Sequence, residues 1–381
     1  VVRSASTDID DVVRRIAEEV GQINQVGTDE GTFILEDILG EYFSKDISET
    51  SWKIPTGFTF LDHLMEGGMT KNDMLVLYGP FKNGKTQTAR AILRNASNYL
   101  YKMGEGHSCV HLAHDGGNKY KHACYYLAMD IQAHLMEKKI RYFGEGTDRN
   151  GYLSDQIPLI SPYNVEVIRR AEMYRITNNG KTYDGPPLYV RIPPEVQDII
   201  LDKIHGLEKS DKRNIRIYDA KVIRHDLDRA VALLERCVNE GARFIMADHA
   251  GEFGEPGKTA IYDRTSIGAQ TFANFAREHD VVVMVLSQVN QTGINLSADD
   301  KNPHMEGGTA YVVKADAAFR SDLVGKSPNK RIKITVTHGR FTEGGNEVST
   351  ELVPLLASGM ISNAEDEDID GTEPYPTYNN T

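Results

Sequence analysis

The sequence is poor in cysteine, in tryptophan and in long apolar runs. Its three cysteines, Cys109, Cys124 and Cys237, are widely spaced and odd in number. They form neither a disulfide framework nor a zinc-ligand pattern, so reduced core thiols in a reducing, cytoplasmic compartment are expected. No apolar run approaches ~18 residues, so no membrane-spanning helix and no membrane partner are expected. The amino end carries no signal-peptide pattern and no initial Met, so a trimmed chain or a piece of a longer one is expected. An excess of basic charge is missing too. The formal net charge is -12, which argues against a broad nucleic-acid coat but leaves room for a local basic channel. Part of that acidity sits in Glu365-Asp-Glu-Asp-Ile-Asp370, and residues 362–381 read as a solvated, disordered tail or a partner-binding one.

What is present is enough apolar residue, 40% of 381, to fill a sizeable core in one large or two modest domains. Residues 7–25 place Ile9, Val12, Val13, Ile16 and Val20 near helical spacing, and Thr32–Phe43 is a second apolar-rich helix candidate. Residues 1–50 therefore read as an N-terminal helical arm, packed on its own domain or docked on a neighbouring subunit. From Asp73 strands and helices alternate. Strands are predicted at 74–78, 108–113, 215–219, 243–248 and 281–287, with helices at 86–102, 119–137, 227–240 and 265–279. Continuous apolar strands between helices imply a mostly parallel sheet covered on both faces. The closing strands, 317–323, 331–338 and 348–356, lack intervening helices and predict an antiparallel edge. Residues 51–361 thus read as one α/β domain. Residues 141–213, rich in Pro, Gly, Tyr and charge, interrupt it as an insertion.

The chemistry concentrates in Gly79-Pro-Phe-Lys-Asn-Gly-Lys85-Thr86, which fits G-x-x-x-x-G-K-[ST] between an apolar strand and a helix. Glycines let backbone N–H groups close around phosphate oxygens, a lysine bridges the terminal phosphates, and a hydroxyl serves Mg²⁺. Gly79, Asn83, Gly84, Lys85, Thr86 and Gln87 are the candidate nucleotide-binding residues, and ATP or another nucleoside triphosphate with Mg²⁺ is the expected ligand. Phe244-Ile-Met-Ala-Asp248 is a strand ending in an acid, so Asp248 joins Thr86 as a candidate metal ligand. Val110-His-Leu-Ala-His-Asp115 ends another strand, with Asp115 the candidate catalytic base and His114 the alternative. A helix-capping Asp is the plainer reading of Asp115. Another strand, 281–287, leads into Gln288, which could sense the terminal phosphate. Arg340, in the turn after a late strand, is either a solvated turn residue or a finger reaching a neighbouring subunit's phosphate.

Together these residues resemble the RecA-like ATPases, and most of all the DnaB-type replicative helicase domain. Ile54-Pro-Thr-Gly-Phe-Thr-Phe-Leu-Asp-His-Leu-Met-Glu-Gly-Gly68 is similar to the lead-in motif "IPTGFxxLDxLxGG". Leu286-Ser-Gln-Val-Asn290 resembles "LSQLNR", and Glu306–Asp316 resembles "GSGxIxxxAD". The likeness covers roughly residues 50–135 and 215–358, but not the insertion. It implies a RecA-like fold, a ring of six copies threading single-stranded DNA, hydrolysis between subunits, and a primase or helicase loader as partner. It makes Arg340 a trans finger and Gln288 a sensor, and puts Asp115 near the catalytic Glu of "SLEMS". DNA-facing loops would follow Asp248, with Lys258 and Arg264, and Gln288, with Lys301 and His304. The sequence also departs from the pattern. His338 replaces a Lys, Gln291 replaces a basic residue, and the acidic strand ends Asp248-His-Ala-Gly rather than Asp-Tyr-Leu-Gln. Such drift resembles phage or mobile-element members. A RecA- or RadA-like recombinase, forming filaments on single-stranded DNA, is the alternative; a packaging or regulatory ATPase of this fold and a monomeric kinase are weaker ones.

Overall fold

The computed structural model describes residues 53–104, 109–113, 119–140, 157, 159–180, 192–209, 215–219, 226–249, 253, 261–289, 309–325, 330–339, 348–355 and 360–363. All of them fall in one compact unit, Lys53–Thr381. The expected helical arm at 1–50 lies outside the described residues, as does the acidic tail from Ala364 on; Ser362 and Asn363, counted with the tail, belong to the last strand.

The described part opens with a small antiparallel pair, β1 (Lys53–Ile54) and β2 (Met69–Thr70), around a short helix α1 (Thr59–Leu64). The central sheet follows. Its strands are β3 (Met74–Gly79), β4 (Cys109–Ala113), β5 (Ile215–Asp219), β6 (Phe244–Asp248), β7 (Val282–Gln288), β8 (Ala317–Val324), β9 (Arg331–Gly339), β10 (Val348–Leu355) and β11 (Met360–Asn363). Among the described residues they lie in the order β11-β10-β9-β8-β3-β7-β6-β4-β5. Pairings from β8 through β5 are parallel. Those among β8, β9, β10 and β11 are antiparallel. The mixed sheet expected from the apolar runs is therefore present, with its antiparallel edge at the carboxyl end.

The helices are α2 (Lys85–Lys102), α3 (Lys119–Glu137), α4 (Pro162–Thr177), α5 (Pro194–Lys209), α6 (Leu227–Asn239), α7 (Ile261–Glu278) and α8 (Ala310–Lys314). Side chains alternate along each strand and so serve two faces. Met74, Val76 and Tyr78 of β3 and Ile245 and Ala247 of β6 enter one core with Leu234 of α6, Phe272 of α7 and Tyr311 of α8. The intervening residues, including Leu75, Leu77, Met246 and Asp248, belong to the opposite face, where α2 packs. Every residue of β3, β4 and β6 is buried. This is why these strands read as unbroken apolar runs rather than alternating ones. Asp226 caps α6 through its side chain, which accepts from Arg229 N at 3.1 Å.

The stretch 141–213, which breaks the sequence rhythm, contributes α4 and α5. They pack with α3 around a second core made of Ile131, Leu135, Val165, Ile168, Val196, Ile200 and Ile204, among others. Ser161 and Asn164 form a reciprocal capping box that starts α4. Periodicity hid this helix because its polar positions are filled by arginine and glutamate at short spacing. Glu166 is paired with Arg169 and Arg170, and Glu172 with Arg175. Cys109, Cys124 and Cys237 are free and buried, as expected of core thiols. Burial, and after it the neighbouring Glu166 carboxylate, pushes the Cys124 thiol up to about 12.

Candidate phosphate-binding site

The site lies at the carboxyl ends of the parallel strands, where open α/β sheets place their ligands. Register brings its parts together. Gly79 at the end of β3 is paired with Gln288 at the end of β7, and Val289 N donates to Gly79 O at 3.2 Å. Asp248 at the end of β6 is paired with Ala113 at the end of β4. The chain between β3 and α2 is the glycine loop. Gly84 has φ +84°, and a Cβ there would sit 2.6 Å from Ile332 Cδ1, so any side chain would be strained and crowded in the turn that starts α2. Thr88 N bonds Gly84 O at 2.8 Å and closes the first helical turn.

Lys85 is buried at the base of the loop. Its Nζ donates to Gly79 O at 2.8 Å and to Pro80 O at 2.7 Å, so the ammonium is held against its own loop. Burial pulls its pKa down to about 8 against the opposing charges of Asp248 and Asp322. Neutral carbonyls are weaker partners for an ammonium than phosphate oxygens, so an anionic ligand would draw Lys85 off the loop carbonyls. Thr86 Oγ1 lies 3.5 Å from Asp248 Oδ1. A hydroxyl and a carboxylate this close are hard oxygen donors of the kind a Mg²⁺ ion takes while keeping most of its waters. The donor set therefore fits that ion. Among the described residues no group of three His, Cys, Asp or Glu side chains gathers as a dedicated metal cage.

Beyond Asp248, His249 Nδ1 lies 3.3 Å from Asp248 Oδ1, and His249 Nε2 lies 3.2 Å from Gln288 Nε2. Sequence reading noted the histidine as a departure but gave it no role. It also missed β8. Ser321 Oγ donates to Asn83 O at 2.8 Å and steadies the loop. Asp322 pairs with the buried Arg320 at 2.8 Å and places its charge near Lys85. Nothing local in the sequence marks these residues, because only strand pairing brings β8 beside β3.

The lead-in motif turns out to brace the loop helix. Asp62 accepts from Thr56 N at 2.6 Å, from Thr56 Oγ1 at 2.7 Å and from Gly57 N at 3.0 Å. Its pKa is nonetheless raised, because burial outweighs those bonds. Asn95 of α2 donates to Thr56 O at 3.0 Å. Gly57 has φ +80°, and a Cβ there would fall 2.2 Å from Asn95 Nδ2. The spacing of Thr56, Gly57 and Asp62 in that motif thus forms a clamp on α2 through Asn95.

A buried polar cluster lies on the α2 face of β4. Arg90 Nη2 meets His122 Nδ1 at 2.9 Å, and its guanidinium covers the Tyr125 ring at 4.3 Å. Tyr126 Oη is 3.1 Å from His111 Nδ1. Burial, followed by the nearby Arg90 and His122, drives the His111 pKa well below its ordinary value, so the ring is neutral.

The structure therefore brings together Gly79, Asn83, Gly84, Lys85, Thr86, Asp248 and Gln288, with Gln87 in the first turn of α2. Asp115, Lys258, Lys301 and Arg340 lie outside the described residues. Arg264 falls in the first turn of α7, but its side chain is outside them too. Among the described residues no helix is long and apolar enough to cross a membrane.

No protein-family model matches this sequence, and no curated protein matches it. Solved structures do share its fold. The ATPase domain of G40P superposes with a TM-score of 0.57 at 16% identity, over 88% of this chain and 99% of that one. A DnaB-like replicative helicase, described with its interactions with primase, superposes with a TM-score of 0.57 at 17% identity, over 92% of this chain and 71% of that one. At such identities the likeness is one of fold. This chain has the RecA-like α/β fold of those ATPase and helicase domains, with parallel strands carrying the site and antiparallel strands closing the sheet.

Proposed function

We propose that this protein is an ATP-dependent DNA helicase or translocase of the DnaB type, which assembles as a ring on single-stranded DNA and hydrolyses nucleotide between subunits. The observation that carries the reading is the register at the sheet edge. It brings the loop Gly79–Thr86, the acid Asp248 and the polar strand end Gln288 to one place, in a fold shared with helicase ATPase domains.

In this reading the backbone of Gly79–Gly84 cradles the phosphates and Lys85 leaves its loop carbonyls to bridge them. Thr86 and Asp248 would hold Mg²⁺, which would supply charge neutralisation for the phosphates. Asp115 takes the proton of the attacking water, with His114 the alternative. Gln288 senses the terminal phosphate. Arg340 of an adjacent copy completes the site as a finger. The segments that hold Lys258, Arg264 and Lys301 face DNA. A ring gives each copy only a few phosphate contacts, so a net-acidic chain can still bind the strand. A primase or helicase loader is the expected protein partner, and the cytoplasm, of a host cell if the chain is phage-encoded, the expected location.

The test is hydrolysis and imaging together. Purified protein with ATP and Mg²⁺ is expected to hydrolyse faster when single-stranded DNA is added, and to form closed rings by electron microscopy. Filaments on DNA in place of rings would favour a recombinase. No DNA-stimulated hydrolysis would sink both.

A further inference from the structure

His249 links two strand ends that the backbone leaves separate. The pairing of β6 with β7 runs from Phe244↔Val282 to Ala247↔Val285. Beyond it, the ring of His249, the residue after Asp248, meets Gln288 Nε2 at 3.2 Å, while its Nδ1 lies 3.3 Å from Asp248 Oδ1 without hydrogen-bonding geometry. The polarity of that link follows from chemistry. The Gln288 NH₂ can only donate, so His249 Nε2 accepts across the 3.2 Å contact. That leaves Oε1 and the second N–H of the glutamine amide for other partners. The Gln288 backbone is meanwhile paired with Gly79 of the phosphate loop, and Asp248 approaches Thr86 of the same loop. The chain Gly79, Gln288, His249, Asp248, Thr86 closes a circuit around the site.

We propose that His249 is a positioning residue. Through its ring it ties the Gln288 amide to the end of β6, next to Asp248 in the chain, so that the side chain at the end of β7 is held in one orientation by that strand end. The proposal rests on the functional reading above and deepens it, since it names what orients the sensor.

The experiment is a double-mutant cycle. His249→Phe is expected to lower the turnover number for DNA-stimulated ATP hydrolysis on the order of tenfold, with KM for ATP changed less than about threefold, as fits the coupling of contacting polar residues. His249→Gln, which can both donate and accept, is expected to recover most of that loss. The pair His249→Phe with Gln288→Ala is expected to be no slower than Gln288→Ala alone. A double variant slowed by the product of the two single effects, or a His249→Phe protein that turns over like the unaltered one, overturns the proposal. If His249→Phe does not fold, His249→Ala takes its place, and equal rates for the Ala and Gln variants overturn it. If the unaltered protein does not hydrolyse ATP, the functional reading fails by itself. The same cycle is then read in the affinity for a slowly hydrolysed ATP analogue with Mg²⁺, where additive losses overturn the link and non-additive ones support it.

Discussion

The carboxyl edge of the sheet and the helical layer of α3, α4 and α5 solve different problems with different residues. The edge gathers buried polar groups, Lys85, Asp248 and, half-buried, Gln288, at the ends of strands that are otherwise wholly apolar. The helical layer has its own core, Ile131, Leu135, Val165, Ile168, Val196, Ile200 and Ile204, under a surface stitched by short-range ion pairs. Burying charge costs free energy unless partners offset it. The edge keeps an ammonium against two carbonyls with its pKa pulled down, a strained arrangement that an anionic ligand would relieve. The helical layer keeps most of its charges at or near the surface, and its buried Glu172 is paired with Arg175 and His205. A buried charge held only by carbonyls marks the site, and charges paired with one another mark the helical layer.

Substitutions can break that contrast, and the largest effect is expected at Arg340, which lies outside the described residues. Arg340→Ala is expected to lower hydrolysis by about 10³-fold or more, the range of a trans arginine finger. Nucleotide binding, read by titration with a fluorescent ATP analogue, should persist. Normal hydrolysis by that variant would remove the subunit-interface mechanism. Lys85→Ala should cut hydrolysis by at least about 100-fold, the range for losing a preorganised charge. Its melting temperature should hold or rise, because a buried ammonium is removed. A fall of several degrees would mean that Lys85 supports the fold rather than the ligand.

Ile168→Ala tests the other region. Ile168 is buried in the helical core, so its truncation is expected to cost about 2–4 kcal/mol in urea unfolding. The affinity for nucleotide should stay within about threefold of the original, as distant sites act nearly independently. A larger loss of affinity would show that the helical layer supports the sheet edge. The smallest effect is expected at Glu166. Burial pushes its pKa up, but hydrogen bonds from Arg169 and Arg170 outweigh it and hold the carboxyl at about 2, against 4.5 ordinarily. A folded-state pKa below the unfolded one means stability that is fully present above about 4.5 and is lost as pH falls towards about 2. Glu166→Gln should cost less than about 1 kcal/mol at neutral pH. The acid limb of unfolding should be shallower in the variant, and an unchanged limb would show that Glu166 is not coupled to folding.

Much of the fold was legible, because the strands of the parallel core are buried on both faces and so appear as short continuous apolar runs. Helices α2, α3, α6 and α7 followed from apolar spacing between those runs. Helices α4 and α5 did not, since Pro, Gly and charge surround them and α4 begins at a local capping box. The short β1–β2 pair and β11 also escaped, being too brief to show a period. In the site, the glycine loop was legible because its chemistry is contiguous. Asp248 and Gln288 were legible because each ends an apolar strand. His249 was visible as a departure without a meaning, since its two partners lie on its own strand end and on a neighbouring strand. Arg90, His111 and His122 gave no signal, for they meet only across α2, β4 and α3.

By itself the sequence determined which backbone turns can hold phosphate, which strands must be buried, and where the antiparallel closure begins. These follow from local rules: glycine's freedom at φ +84°, side-chain periodicity, and chain connectivity. Only the tertiary structure decided the strand order, and with it that Gly79 meets Gln288 and that Ser321 and Asp322 of β8 serve the phosphate loop. It also decided that the lead-in motif clamps α2 through Asp62 and Asn95. Those pairings join residues far apart in the chain. They depend on which strands lie side by side, and local propensity carries no record of that.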